Sequence, residues 1–123
     1  MSEDPQAPAV DRAPRRAIDE VALCHAVEGI GDRDRVARAA TRLALLGEPG
    51  RLALLLAIRH AGSIPVSDLA LAAGLSDTAA SQALRLLRKA GLVVATKEGR
   101  VVRYRLGDTG LAGMLDLLVS PNA

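Results

Sequence analysis

Apolar residues recur every three or four positions along most of the chain, with glycine or proline between the runs, and this pattern predicts a series of helices. The predicted helices cover about residues 17–29, 32–46, 50–61, 66–73, 77–90 and 110–119. Residues 92–96 and 101–106 differ, because they are short, valine-rich and separated by a Lys97–Arg100 turn that is typical of a β-hairpin. The predicted fold is mainly α with a small β-hairpin, in the order α-α-α-α-α-β-β-α.

The stretch from Ile64 to Arg105 is the most informative part of this pattern. Gly74-Leu75-Ser76 separates two short predicted helices, and the hairpin follows the second helix directly. Two helices joined by a glycine-containing turn place the second helix in the major groove of DNA. The hairpin adds a wing that reaches the DNA backbone or minor groove. The sequence therefore predicts a winged helix-turn-helix.

Length and composition predict one domain with a core of leucine, alanine and valine. The chain has 123 residues, half of them hydrophobic, and Tyr104 is its only aromatic residue. Residues 1–14 hold three of the six prolines among polar residues, so residues 1–16 are predicted to be a disordered arm. Residues 17–123 are predicted to form a single winged helix-turn-helix domain for DNA binding and dimerisation.

Positive charge is concentrated in one segment of a nearly neutral chain. The whole chain carries a net charge of +2, whereas residues 76–107 hold seven basic and two acidic residues, a net charge of +5. Residues 1–75 hold nine basic and ten acidic residues. A local basic surface suits a polyanionic partner such as double-stranded DNA. The alternative interpretation is a solvated charged face without a partner.

Other classes of protein lack support in the sequence. We find no group of serine, histidine and aspartate, no glycine-rich phosphate loop and no paired catalytic carboxylates, so an enzyme is not expected. Cys24 is the only cysteine, which excludes an intramolecular disulfide. There is no recognisable signal peptide and no apolar run of about 18 residues. The expected location is therefore the cytoplasm.

The second helix of the motif has a polar face with the chemistry to read DNA. Ser76 is the predicted N-cap, and Ala80, Leu84 and Leu87 form the predicted buried back. Glutamine makes bidentate contacts to adenine, and serine, threonine and arginine serve base edges or phosphates. The predicted DNA-binding residues are Ser76, Thr78, Ser81, Gln82 and Arg85 on this helix, with Lys97 and Arg100 on the wing. For Arg103 and Arg105, solvation and DNA contact remain alternatives.

The last predicted helix carries an apolar stripe, formed by Leu111, Met114, Leu115 and Leu118. Because helices stand at both ends of a small domain, we interpret the stripe as half of a dimer interface. The predicted helix of residues 32–46 would supply the other half. The alternative is packing within one subunit.

Several segments follow one another as in a known family. Residues 46–55 are similar to its "L-A-D-P-x-R-L-x-I-L" segment, residues 66–70 to "V-x-D-L-A", and residues 76–88 to its recognition helix, "S-x-S-x-V-S-x-H-L-x-x-L". Gly91, Leu92 and Val94, followed by residues 98–106, are similar to "G-L-V…R-x-G-R-x-v-x-Y-x-L". Across residues 43–118 the chain resembles the ArsR–SmtB winged-helix repressors of bacteria. The resemblance implies a homodimer that binds an inverted repeat in its operator and leaves when an inducer binds.

The resemblance also implies metal sensing in many members, but two common metal sites are incomplete in this chain. A thiolate pair before the recognition helix would fall at Pro65 and Ser67. A site on the last helix would need Asp-x-His, of which Asp108 is present whereas Gly110 stands in the place of the histidine. Neither of these two common metal sites can therefore be complete.

Cys24 and His25 remain as candidate metal ligands, in the helix where some family members place thiolates that complete a site across the dimer. Thiolate and imidazole suit Zn, Ni, Co or Cd. Adjacent helical residues point about 100° apart, so a site needs help from Glu20 or Glu28, or from the other subunit. The alternatives are a buried cysteine beside a surface histidine, a redox or non-metal signal through Cys24, and a dimeric interaction module without metal sensing. His60 is expected to be a favourable charge at a helix C-terminus rather than a ligand.

Overall fold

The computed structural model describes residues 15–120, and it confirms the predicted series of helices with their ends moved by a few residues at most. The helices are α1 (Glu20–Ile30), α2 (Arg33–Leu46), α3 (Pro49–Ala61), α4 (Val66–Ala73), α5 (Asp77–Lys89) and α6 (Thr109–Leu118). The strands are β1 (Ile64–Pro65), β2 (Val93–Glu98) and β3 (Val101–Leu106).

The sheet has one strand more than the sequence predicts. The strands form an antiparallel sheet in the order β1-β3-β2, in which Ile64 lies opposite Tyr104 on β3. A strand of two residues is too short to show an alternating pattern, so only its tertiary pairing reveals it. Pro65 fits this position because β1 is an edge strand, where a missing N–H costs no interior hydrogen bond.

The wing has a longer first strand and a tighter turn than predicted, whereas its second strand has the predicted bounds, Val101–Leu106. β2 continues through Lys97 and Glu98, which lie opposite Val102 and Val101 of β3. The chain reverses at Gly99 and Arg100 alone. Gly99 has φ +64°, a left-handed conformation that glycine adopts at little cost. The shorter turn moves Lys97 and Glu98 from a loop into the hairpin ladder.

The described chain divides into two compact units, of which the first ends at Val36 and the second begins at Ala37. The first unit contains α1 and the beginning of α2, and Asp19 and Asp32 cap these helices by accepting hydrogen bonds from the backbone N–H groups of Ala22 (2.9 Å) and Arg35 (2.7 Å). The second unit contains all the other elements. The predicted domain of residues 17–123 spans both units, and nearly all of the predicted arm, residues 1–16, lies outside the described residues.

α3 is the central element of the second unit. Its side chains Leu54, Leu55 and Ile58 are fully buried, and it contacts α4, α5, β3 and α6. Burial of one such side chain stabilises the fold by about 1.5–3 kcal/mol. Leucines from the surrounding helices complete the core: Leu69, Leu84, Leu87, Leu111 and Leu115. The helix-turn-helix, the wing strand and the last helix are thus held against one scaffold.

Local caps fix where α3, α4 and α5 begin and end. Hydrogen bonds from the backbone N–H groups of Arg51 (2.8 Å) and Gly50 (2.9 Å) hold the pKa of the Glu48 carboxyl, the N-cap of α3, below its usual range. Gly74 ends α4 in the left-handed conformation, with φ 69° and ψ 28°. Ser76 then caps α5 as predicted, since its hydroxyl accepts a hydrogen bond from the Ala79 N–H at 3.0 Å. These caps therefore define the ends of the two helices of the helix-turn-helix and the short turn between them.

Candidate nucleic-acid interface

α5 has one buried face and one polar face. Ala80, Leu84 and Leu87 are fully buried against the core, as the sequence predicts. The predicted DNA-binding residues of this helix all lie outside the core and are exposed: Ser76, Thr78, Ser81, Gln82 and Arg85. In a helix with 3.6 residues per turn, residues 78, 81, 82 and 85 project from the side opposite the buried face. The core therefore anchors the back of α5 and leaves its polar face accessible.

Lys89 extends this polar face and was missed in the sequence analysis. It lies four residues after Arg85 on α5 and is exposed, so its Cα–Cβ bond points to the same side as that of Arg85. Arg88 is exposed beside it. The i, i+4 spacing of Arg85 and Lys89 in the sequence could have identified Lys89 as part of this face. Both residues also lie in the last turn of α5, where positive charge interacts favourably with the helix dipole.

Two accessible cations stand at the tip of the wing. Lys97 is exposed near the end of β2, and Arg100 is exposed in the turn. Within residues 15–120 neither side chain forms an ion pair or a hydrogen bond. Because exposed ammonium and guanidinium groups at the tip of a hairpin reach phosphate without losing another partner, the wing suits contact with a nucleic-acid backbone.

Arg103 and Arg105, for which the sequence left two alternatives open, lie in different surroundings. The Arg103 guanidinium is tied to the protein, with Nε 3.2 Å from Oε1 of Glu98 and Nη1 donating to the carbonyl oxygen of Ser63 at 3.4 Å. Arg105 instead lines a cleft of about 240 Å³ between the end of α3 and the start of α6. Neither arginine belongs to the accessible pair at the wing tip.

The predicted stripe on α6 is divided between the subunit core and the surface. Leu111 is 6% exposed and Leu115 is fully buried, so both pack within the subunit, and Met114 is half-buried. Leu118 is 56% exposed. The assignment of Leu111 and Leu115 to a dimer interface is thereby corrected, because a helical stripe indicates burial but not which chain provides it. The apolar surface that α6 leaves uncovered is at its end: Leu117, Leu118 and Val119.

α1, in the first unit, exposes both its apolar face and its candidate metal ligands. Leu23, Val27 and Ile30 share one side of the helix and are more than half exposed. Cys24 is exposed, not buried, and His25 is exposed beside it. In the part of the chain that the structure describes, no three histidine, cysteine or carboxylate side chains are grouped as metal ligands. Within residues 15–120, α1 therefore offers two adjacent donors without a third ligand grouped beside them.

Two further side chains bear on the surface chemistry. His60 is exposed in the last turn of α3, the place that the sequence indicated for a favourable helix C-terminal charge. Arg59 beside it pairs with Asp116 of α6 at 2.9 Å, which ties α3 to α6. No helix between residues 15 and 120 is both long and apolar enough to span a lipid bilayer.

Comparison with known proteins agrees with this architecture. The model of the MarR family matches residues 48–101. The HTH-type transcriptional regulator NmtR of Mycobacterium tuberculosis is 42% identical over 98 residues, which are 75% of this chain and 81% of that relative. A possible ArsR-family regulator from Mycobacterium bovis, Mb0332, solved as a homodimeric winged helix-turn-helix DNA-binding domain, is 32% identical with a TM-score of 0.60, over 72% of this chain and 84% of that chain. The antimony-specific transcriptional repressor AntR is 28% identical with a TM-score of 0.65, over 72% and 79%.

A winged helix-turn-helix with an anchored recognition helix and an accessible basic wing defines a transcriptional regulator rather than an enzyme. The chain belongs to the ArsR–SmtB family of winged-helix regulators. The family identified from its sequence motifs is therefore confirmed.

Proposed function

We propose that the protein is a homodimeric repressor that binds an inverted repeat in double-stranded DNA and leaves it when an inducer binds. The observation that carries the proposal is the polar face of α5, which is exposed while the opposite face is buried in the core. On this face Gln82 is suited to adenine, and Arg85 to guanine or phosphate. Lys97 and Arg100 would contact phosphates beside the major groove. The proposal includes a cytoplasmic location, as expected of a regulator that binds bacterial DNA.

Uncovered apolar surface supports the homodimer. α1 exposes Leu23, Val27 and Ile30, and the end of α6 exposes Leu117 and Leu118. Apolar area of this kind is stabilised when a second chain removes it from water. The solved Mb0332 domain, which shares the fold, is a homodimer. Two recognition helices related by twofold symmetry read the two halves of an inverted repeat.

A dimeric interaction module without DNA binding is the competing function. Such a module would need the apolar surfaces of α1 and α6 but not the six exposed cations of α5 and the wing: Arg85, Arg88, Lys89, Lys97, Arg100 and Arg105. DNA binding driven by phosphate contacts weakens steeply with salt because neutralised phosphates release their counterions. The salt dependence of duplex binding therefore separates the two functions.

Arg100→Ala is expected to weaken binding to operator and random duplexes alike and to flatten the plot of log affinity against log salt by about one unit. The reason is the loss of one phosphate contact from the wing tip. Arg42→Ala is the matched control, since it removes the same charge from an exposed position on α2. Fluorescence anisotropy over a series of salt concentrations measures both slopes. An unchanged slope for Arg100→Ala would remove the wing tip from the interface.

A second candidate is that the inducer is a transition-metal ion, for which Zn, Ni, Co and Cd are the ions to test. The exposed thiol of Cys24 beside His25 favours it, since thiolate and imidazole ligate these ions. Among residues 15–120 no third ligand is grouped with Cys24 and His25. We therefore propose that the other subunit supplies the remaining donors. A redox or other non-metal signal through Cys24 is the alternative.

For this candidate, Cys24→Ser is expected to lose the metal-dependent change in operator affinity, since a hydroxyl replaces the thiolate donor. His60→Ala, which removes the other histidine, is the control and is expected to respond as the wild type does. Titration of the three proteins with each ion, followed by operator binding, provides the comparison. Equal metal binding by wild type and Cys24→Ser, or no effect of any ion on wild-type DNA affinity, would exclude the metal signal.

A further inference from the structure

Glu98 is the only acidic residue in the wing hairpin, and its carboxylate faces the guanidinium of Arg103. Val101 lies opposite Glu98 in the ladder, and Thr96 lies opposite Arg103, so Glu98 and Arg103 are diagonal neighbours on one face of the hairpin. The 3.2 Å separation of Nε and Oε1 follows from this register. The pair is thus built into the hairpin by its two-residue turn.

The Arg103 guanidinium has a second partner, which fixes its direction. Nη1 donates to the carbonyl oxygen of Ser63, in the segment between α3 and β1. The arginine is held along the sheet, whereas Lys97 and Arg100 extend from the wing tip without a partner in the described chain. Lys97 and Arg100 at the wing tip are therefore accessible, Arg105 is exposed farther along β3, and Arg103 is the wing cation that is tied to Glu98.

Stability does not account for an acid at this place. The side chains of Arg103 and Glu98 are 36% and 64% exposed, and ion pairs in such surroundings contribute little to the free energy of unfolding. A carboxylate near phosphate, however, opposes binding to every duplex regardless of sequence. A group that weakens all backbone binding lowers occupancy at random sites, where backbone contacts supply nearly all of the affinity.

We propose that Glu98 is a specificity-determining residue, which acts by holding Arg103 away from the DNA backbone and so limits the contribution of the wing to non-specific binding. The inference rests on the proposed DNA-binding function. It extends that function by assigning a role to the acid of the wing. Specific affinity depends on α5, whereas the Glu98–Arg103 pair sets how much sequence-independent affinity the wing adds.

Glu98→Gln is the test, because it keeps the size of the side chain and removes its charge. We expect tighter binding to a random-sequence duplex and a salt slope steeper by about one unit, as Arg103 gains a phosphate contact. The ratio of operator to random affinity is expected to fall, with an unchanged Tm. Asp34→Asn, which makes the same change in net charge on α2, is the control and is expected to leave the slope unchanged.

Arg103→Gln, alone and combined with Glu98→Gln, tests the route through Arg103. Glu98→Gln is expected to steepen the salt slope only when Arg103 is present. The same change in both backgrounds, or no change in either, would overturn the proposal. Failure of the proposed function would look different, because the wild-type protein would then show no salt-dependent duplex binding at all. Such a result would overturn the role of Glu98 as well.

Discussion

Leu115→Glu is expected to unfold the subunit, whereas Leu118→Glu is expected to leave it folded and monomeric. Leu115 is fully buried in the core between α3 and α6. A carboxylate there has no partner, and an unpaired buried charge costs several kcal/mol. Because a domain is stable by only about 5–15 kcal/mol, this loss is a large share of its free energy of unfolding.

Leu118 receives the same charge in different surroundings. It is 56% exposed, so glutamate remains hydrated in the monomer and loses its hydration only when a second chain covers it. Leu71→Glu on α4, where the leucine is 81% exposed, is the control and should remain dimeric. Circular dichroism measures folding and sedimentation measures association. A folded Leu115→Glu subunit would contradict the core assignment, and dimeric Leu118→Glu would exclude the end of α6 from the interface.

Gln82→Ala is expected to weaken operator binding by about 1–3 kcal/mol, roughly a 5- to 150-fold loss, with a much smaller effect on random DNA. The side chain lies on the accessible face of α5, and the bidentate contact of one glutamine to adenine accounts for a loss of this size. Alanine favours helix at least as well as glutamine, so α5 is expected to keep its structure.

Gln82→Ala and Arg100→Ala are expected to change different properties of DNA binding. A residue that reads a base changes the ratio of operator to random affinity and leaves the salt slope unaltered, whereas a phosphate contact does the reverse. Competition binding with both duplexes at several salt concentrations separates the two effects. Equal losses on operator and random DNA would assign Gln82 to the backbone.

The sequence predicts the helix-turn-helix well because its signals are local. Gly74 supplies the left-handed turn and Ser76 supplies a hydroxyl cap, and both act within a few residues of their own position. The helical periodicity of apolar residues predicts which side of α5 is buried. The remaining side of the helix is then the polar face.

The sequence did not predict the features that depend on tertiary or quaternary contacts. β1 is defined only by its pairing with β3. The periodicity of α6 identifies Leu115 as apolar and inward-facing, but the same periodicity fits a core and an interface between chains. The Glu98–Arg103 ion pair depends on the register of the hairpin. The predicted four-residue turn placed Glu98 in a loop, so the sequence did not predict that Glu98 lies beside Arg103.

The most direct test of the account is selection of duplexes from a random pool by wild-type protein, followed by measurement of binding stoichiometry and salt dependence on the selected sequence. We expect an enriched inverted repeat that binds two chains, with an affinity at least about 10³-fold higher than that for random DNA. We also expect this affinity to fall steeply with salt. Absence of an enriched sequence, or binding of a single chain without salt dependence, would contradict the assignment of α5 and the wing as a DNA-reading surface.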